Sequence, residues 1–472
     1  MKWIAGSAVL AVLSFAGTLA QASDFDARRT AARASLVKEL DGYLAWCQTK
    51  SLFLTRQKAC ALLLELEPEH AEARKTLGYT RAKDGTWKAP EKPRELRDFD
   101  QKALGEAAGR WREATGSYVT AMVGLLEAGA LSAEEKELAA REVLRFDAEN
   151  ERVHVLLGEV KGEKGWVLPE TPRAKERRAE LLEAVRTAFE SAPPAAPAEL
   201  TERERRIPLK FKAFAAPGLR VVGTSGEEEL RLCAQAMLAL QAFLQTVFAS
   251  KHALPADCTV FLFDARELPV FSANHPAIPA TSRAQFEMQE GGGVPGTNDF
   301  AFWTGDTQRR VDGIVRLALG FWLSGAFQIE VRTGWAYEGF GLVLTRALIR
   351  SRLTWLATAA TVADPKTIAL RQRLVDPKTN WMDEALRMLQ ERRQPALDEL
   401  VRKDASQLTT EDVLYSYTLA TYLLEAHPEV VSKMLKRLGT GYPGIPALSE
   451  ALGMDVPSLE RRLERWLTER VG

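Results

Sequence analysis

"GWAYEGFGLVLT", residues 334–345, carries one charged residue, Glu338, among Trp335, Tyr337, Phe340, Leu342, Val343 and Leu344. A carboxylate in such company is costly to bury unpaired. Either Glu338 finds a cationic partner, or it sits at a helix start and faces water, where an acidic residue is favourable anyway. The stretch before it, "IVRLALGFWLS" at 314–324, is apolar nearly all round and also has a single charge, Arg316. Both stretches are predicted as buried helices. The connection "GAFQIEVRTG" is short enough to make them neighbours. Arg316 and Glu338 are therefore expected to pair. Asp312 lies one turn before Arg316 and is spaced to join them as an i,i+4 partner.

Upstream of these helices the texture is mixed. "LKFKAF" (209–214) and "LRVVG" (219–223) predict two strands with a turn at Ala216-Pro217-Gly218. "EEELRLCAQAMLALQAFLQTVFAS" (227–250) has the spacing of a long amphipathic helix, and "CTVFLF" (258–263) that of a buried strand. "GGGVPGTNDFAFW" (291–303) reads as a Gly-rich turn leading into a short strand. Helices are expected from about Gln308 onward, which makes this half α+β.

The first half reads as helices, as in "ASLVKELDGYLAWC" (34–47) and "GSYVTAMVGLLEAGA" (116–130). It contains an internal repeat. "LELEPEHAEARKTLGYTRAKDGTWKAPE" (64–91) matches "LRFDAENERVHVLLGEVKGEKGWVLPE" (144–170) through Leu77-Gly78 and Leu157-Gly158, Trp87 and Trp166, Pro90 and Pro169. Each copy predicts a helix pair closed by a Trp-bearing extended segment, loosely resembling tetratricopeptide-like pairs. The expected role is a packing platform. "ESAPPAAPAELTERERR" (190–206) has the prolines and charges of a linker. The expected division is a signal peptide at 1–22, a helical repeat domain at 23–189, a linker at 190–206 and a second domain at 207–472.

The start, "MKWIAGSAVLAVLSFAGTLAQAS", combines Lys2, an apolar run and Ala20-Gln21-Ala22, the pattern of a secretory signal cut after Ala22. An uncleaved membrane anchor is the alternative. The expected location is secreted or periplasmic, with no membrane span after cleavage. Of the four cysteines, Cys47 with Cys60 and Cys233 with Cys258 are candidate disulfides, one per half; buried free thiols are the other reading. Lys+Arg and Asp+Glu are both 63, and this zero net charge argues against a nucleic-acid partner. The five histidines include no pair four residues apart, so there is no HExxH zinc helix.

The ordered set of elements over residues 205–470 resembles the peptidase-MA-like gluzincins, which are secreted or envelope zinc metallopeptidases. In that family a buried helix carries HExxH, and a second helix opens with a Trp-x-x-Glu-Gly motif whose Glu is the third zinc ligand. Trp335, Glu338 and Gly339 match the second motif. The resemblance implies a small mixed sheet followed by a helical subdomain. It also marks Asp312, Arg316 and Gly320 as the positions of the lost zinc helix. In one register Arg316 and Gly320 stand where the two histidines would be, with Leu317 at the catalytic Glu. In the other, Asp312 and Arg316 stand there, with Gly313 at the Glu. Neither register keeps a histidine or a general base, so the expectation is an inactive member with no metal and no cofactor. Such a protein would bind an unidentified peptide, glycan or envelope protein. The enzyme alternative is a hydrolase with an unorthodox site, built from Glu338, Asp312 and a distant His275 or Tyr415.

Overall fold

The structure is a computed structural model. It describes residues 6–90, 92, 96–128, 131–162, 165–255, 258–289, 291–303, 305–350, 365–376 and 378–471. The chain forms two compact units, Met1–Val167 and Leu168–Gly472.

In the first unit the repeat is a structural one. Helices α1 (Gly6–Thr49), α2 (Phe53–Leu66) and α3 (Ala71–Thr76) lead to a hairpin of β1 (Thr80–Arg81) and β2 (Trp87–Lys88). Helices α4 (Gln101–Glu127), α5 (Ala133–Phe146) and α6 (Glu151–Leu156) lead to a second hairpin, β3 (Val160–Gly162) and β4 (Gly165–Val167). The caps repeat as well. His70 accepts from the Ala73 amide at the start of α3, and Asn150 accepts from the Val153 amide at the start of α6. Both short helices end near a glycine in the left-handed region, Gly78 (φ 88°) and Gly158 (φ 72°), which turns the chain into the hairpin. Each hairpin Trp packs back on its short helix. Arg74 lies 5.5 Å from the Trp87 ring, and His154 stacks on Trp166 at 4.4 Å.

The second unit starts earlier than expected. Helix α7 (Glu170–Ser191) belongs to it, and so does the proposed linker 190–206. That segment contains β5 (Ala196–Ala198) and α8 (Glu202–Arg205). Proline-rich sequence suggested a linker, but an edge strand tolerates proline because one side of it needs no ladder donor. β5, holding Pro197, is the terminal strand and pairs antiparallel with β6 (Lys212–Ala216). Buried Glu170, with Arg462 as its ion-pair partner, fastens α7 within this unit.

The sheet continues through β7 (Leu219–Gly223), β8 (Cys258–Leu262), β9 (Gly291–Gly293) and β10 (Phe300–Phe302), in the order β5-β6-β7-β8-β10-β9. β8 runs parallel to both β7 and β10, so the sheet is mixed and the unit is α+β. The crossover from β7 to β8 is α9 (Glu227–Phe248). Among the described residues α9 is the one helix long and apolar enough to cross a membrane, a match not expected from sequence. It opens on Glu227, Glu228 and Glu229, and its apolar face is spent on the core of this unit.

Side chains alternate across the sheet. Val260, Leu262, Phe300 and Phe302 enter the large core shared with the helices. Phe261, Phe263 and Ala301 enter a smaller cluster on the other face, with α10 (Leu268–Asn274) and α11 (Arg283–Glu287). After the sheet come α12 (Thr307–Phe327) and α13 (Gly334–Ile349). The remaining helices are α14 (Pro365–Val375), α15 (Trp381–Gln390), α16 (Leu397–Leu400), α17 (Thr410–Ala426), α18 (Pro428–Gly439), α19 (Gly444–Leu452) and α20 (Val456–Val471).

The cysteines are buried free thiols, so the disulfide reading is replaced by its alternative. Burial pushes the Cys47 thiol up to about 11 and the Cys258 thiol up to about 12, and raises Cys60 and Cys233 as well.

Candidate functional site

Helices α12 and α13 are both deeply buried, for the reason visible in their composition: neither has a polar face. α12 starts at Asp306, whose side chain accepts from the Arg309 amide. α13 is held from its other side by α17, a helix buried along almost its whole length. The two approach closely at Gly339, where a Cβ would overlap the Ser416 carbonyl.

Arg316 and Glu338 meet between α12 and α13. Arg316 Nη2 lies 3.2 Å from Glu338 Oε2, with side chains 4% and 12% exposed. The two charges attract at this distance without the alignment of a full hydrogen bond. The same nitrogen donates to the Tyr337 carbonyl at 2.9 Å. The guanidinium carbon is 4.7 Å from the centre of the Tyr337 ring, within cation–π range. Burial works against the Arg316 charge, but Glu338 and Tyr337 outweigh it and hold the group above its ordinary value. Room for the guanidinium comes from Gly341, where any Cβ would overlap it.

The other sequence-derived positions fall around this pair. Gly320 faces the Tyr337 hydroxyl, which fills the space a side chain at 320 would need. Asp312 is buried and accepts from Gln308 Nε2 at 2.6 Å. Trp335 is fully buried in the core beside Phe340. Several buried polar atoms here form no hydrogen bond within the protein: Arg316 Nε and Nη1, Trp335 Nε1 and Ser416 Oγ. A fixed positive charge is thus packed between α12 and α13 with part of its donor set unpaired. Among the described residues no three His, Cys, Asp or Glu side chains converge.

The hydrolase alternative is not assembled with His275. That ring lies on the opposite face of the sheet, 5.5 Å from Phe261 and 5.1 Å from Phe271. Its Nδ1 accepts from the Ala277 amide, and its Nε2 is 4.0 Å from Asp299 Oδ2. Burial, with Arg203 nearby, lowers it to about 4 despite Asp299. Tyr415 is buried in the helical core, where burial first, then the carboxylates Glu460 and Glu464, raise its phenol.

Sequence reasoning missed Tyr337, Gly341 and Ser416. A signal for two of them was present: Gly341 lies one helical turn beyond both Tyr337 and Glu338. No family model matches the chain, and no curated protein matches it.

Proposed function

We propose that the second unit is a peptidase-MA-like domain that has exchanged its zinc site for an internal ion pair. It acts by binding, as a non-catalytic module of the cell envelope. The observation that carries this reading is the contact between Arg316 and Glu338. A permanently charged planar cation occupies a position of the lost zinc helix and neutralises the carboxylate that would otherwise ligate metal. The order of elements supports it: paired strands, a long helix, a buried strand, a Gly-rich hairpin, then two buried helices.

The binding surface in this reading is the sheet edge at β9, where Phe321 of α12 lies beside Gly293 and is exposed. Backbone groups of an edge strand can take an extended peptide, and an exposed aromatic ring can take a peptide side chain or a sugar face. The test joins metal content to turnover and capture. The chain, purified after export without added metal, is expected to hold far less than one zinc per molecule and to hydrolyse neither peptide nor glycan libraries. It should bind members of one library, and Phe321→Glu should weaken that binding. Stoichiometric zinc, or turnover abolished by Glu338→Gln, would overturn the reading.

A further inference from the structure

The two copies of the repeat place different basic residues at one position. In the first copy Arg74 of α3 donates through Nε to the Pro68 carbonyl and lies 5.5 Å from the Trp87 ring. In the second copy the equivalent residue is His154 of α6. Its Nε2 is 2.9 Å from the Ala148 carbonyl, and its ring stacks on Trp166 at 4.4 Å. Pro68 and Ala148 are themselves equivalent, each six residues upstream of the basic residue. His154 thus stands in the place of a guanidinium, with the same acceptor and the same ring.

One partner differs. The first copy has Tyr79, whose ring is 5.6 Å from Arg74. The second has Glu159, which lies against His154 Nδ1. The Glu159 side chain is fully buried and that of His154 nearly so. Both ring nitrogens of His154 therefore meet oxygens, and an ionised carboxylate and a peptide carbonyl can only accept. A neutral imidazole has one N–H and satisfies one of them, whereas the imidazolium has two and satisfies both. Of the charged groups on the flanking elements, Asp147 accepts from Asn150, Glu127 of α4 pairs with Arg152, and Arg145 of α5 pairs with Glu65. Glu149 and Glu151 are exposed, and Lys161 of β3 lies 5.8 Å from the Trp166 ring.

We propose that His154 is a pH-operated latch on the second hairpin. As imidazolium it ties α6 to Glu159, just before β3, and to Trp166 of β4. Loss of one proton to solvent leaves a single N–H, which stays with the buried carboxylate. The Ala148 carbonyl then faces a lone pair, and the Trp166 stack loses its charge. The first hairpin is held by an arginine that keeps its proton, so it serves as an internal control. The test titrates the full chain, labelled with nitrogen-15 at histidine, by NMR from about pH 5 to about pH 9, a span that brackets the histidine range. The signals of His154 are those missing from His154→Arg. Both its ring nitrogens should carry protons at the acid end and only one at the alkaline end. Amide hydrogen exchange, corrected for its intrinsic pH dependence, should rise at least about tenfold at Val160–Gly162 and Gly165–Val167 over that span, the worth of one charge-assisted hydrogen bond. Thr80–Arg81 and Trp87–Lys88 should show no such rise. In His154→Arg the second hairpin should exchange slowly at both ends. The latch is overturned if one ring nitrogen of His154 lacks a proton at the acid end, which would put the shared proton on Glu159. It is overturned equally if His154 keeps its charge at the alkaline end, if both hairpins or neither respond, or if His154→Arg retains the response.

Discussion

Replacing Arg316 by leucine removes the only cation within ion-pairing distance of Glu338 among the described residues. The carboxylate left behind is 12% exposed and keeps little water. Breaking a buried pair in this way costs about 3–5 kcal/mol, mostly from the stranded charge. Loss of the Tyr337 ring contact, about 1 kcal/mol, is contained within that range. Glu338→Leu strands the other partner, which is 4% exposed. The double variant, Arg316→Leu with Glu338→Leu, removes both charges and should recover all but about 1–2 kcal/mol. Urea unfolding followed by tryptophan fluorescence reads all three. Buried Trp322 and Trp335 lie on α12 and α13 and report on this region. A double variant no more stable than either single, or an Arg316→Leu cost below about 1 kcal/mol, would refute a stabilising pair.

Gly341→Ala should destabilise the second unit by about 1–3 kcal/mol, because its Cβ would overlap the Arg316 guanidinium. Gly116→Ala, a helical position with open space around it, should be neutral or stabilising by up to about 1 kcal/mol, and thermal melts compare the two. His275 is lowered to about 4 in the folded chain, against about 6.5 unfolded, so its share of stability is present above about pH 6.5 and lost as pH falls toward 4. His275→Phe should flatten the stability profile over that window by on the order of 2–3 kcal/mol relative to the parent, read by denaturation at stepped pH. The four buried cysteines should be inert to a thiol reagent in the native chain and all four should titrate in denaturant without reductant; fewer would reveal disulfides.

Much of this architecture was legible because it is written in local pattern. The apolar surfaces of α12 and α13 and the opposite signs of Arg316 and Glu338 were enough to expect the pair seen at 3.2 Å. The repeat was legible for the same reason: Leu-Gly followed by Trp is a local cap-and-hairpin signal, and both copies fold that way. Local pattern also marked β7, α9 and β8, and it set the strand before the turn at 209–214 where the structure has β6 at Lys212–Ala216, running into the expected turn.

Tertiary structure decided what depends on neighbours distant in sequence. Whether "ESAPPAAPAE" is linker or edge strand depends on β6, a partner outside the segment, and no local rule distinguishes a proline awaiting a sheet edge from one in open chain. The division at Val167 follows from α7 burying its apolar face in the second unit, not from composition. His275 seemed available to a catalytic site until the sheet placed it on the opposite face from α12. The setting of the ion pair was also invisible locally. Sequence showed two apolar helices with one charge each, which led to the expectation of a pair but left open a Glu338 facing water at a helix start. Only packing could put Tyr337 against the guanidinium and Gly341 beneath it, because those contacts join two helices whose relative rotation is set by the core around them.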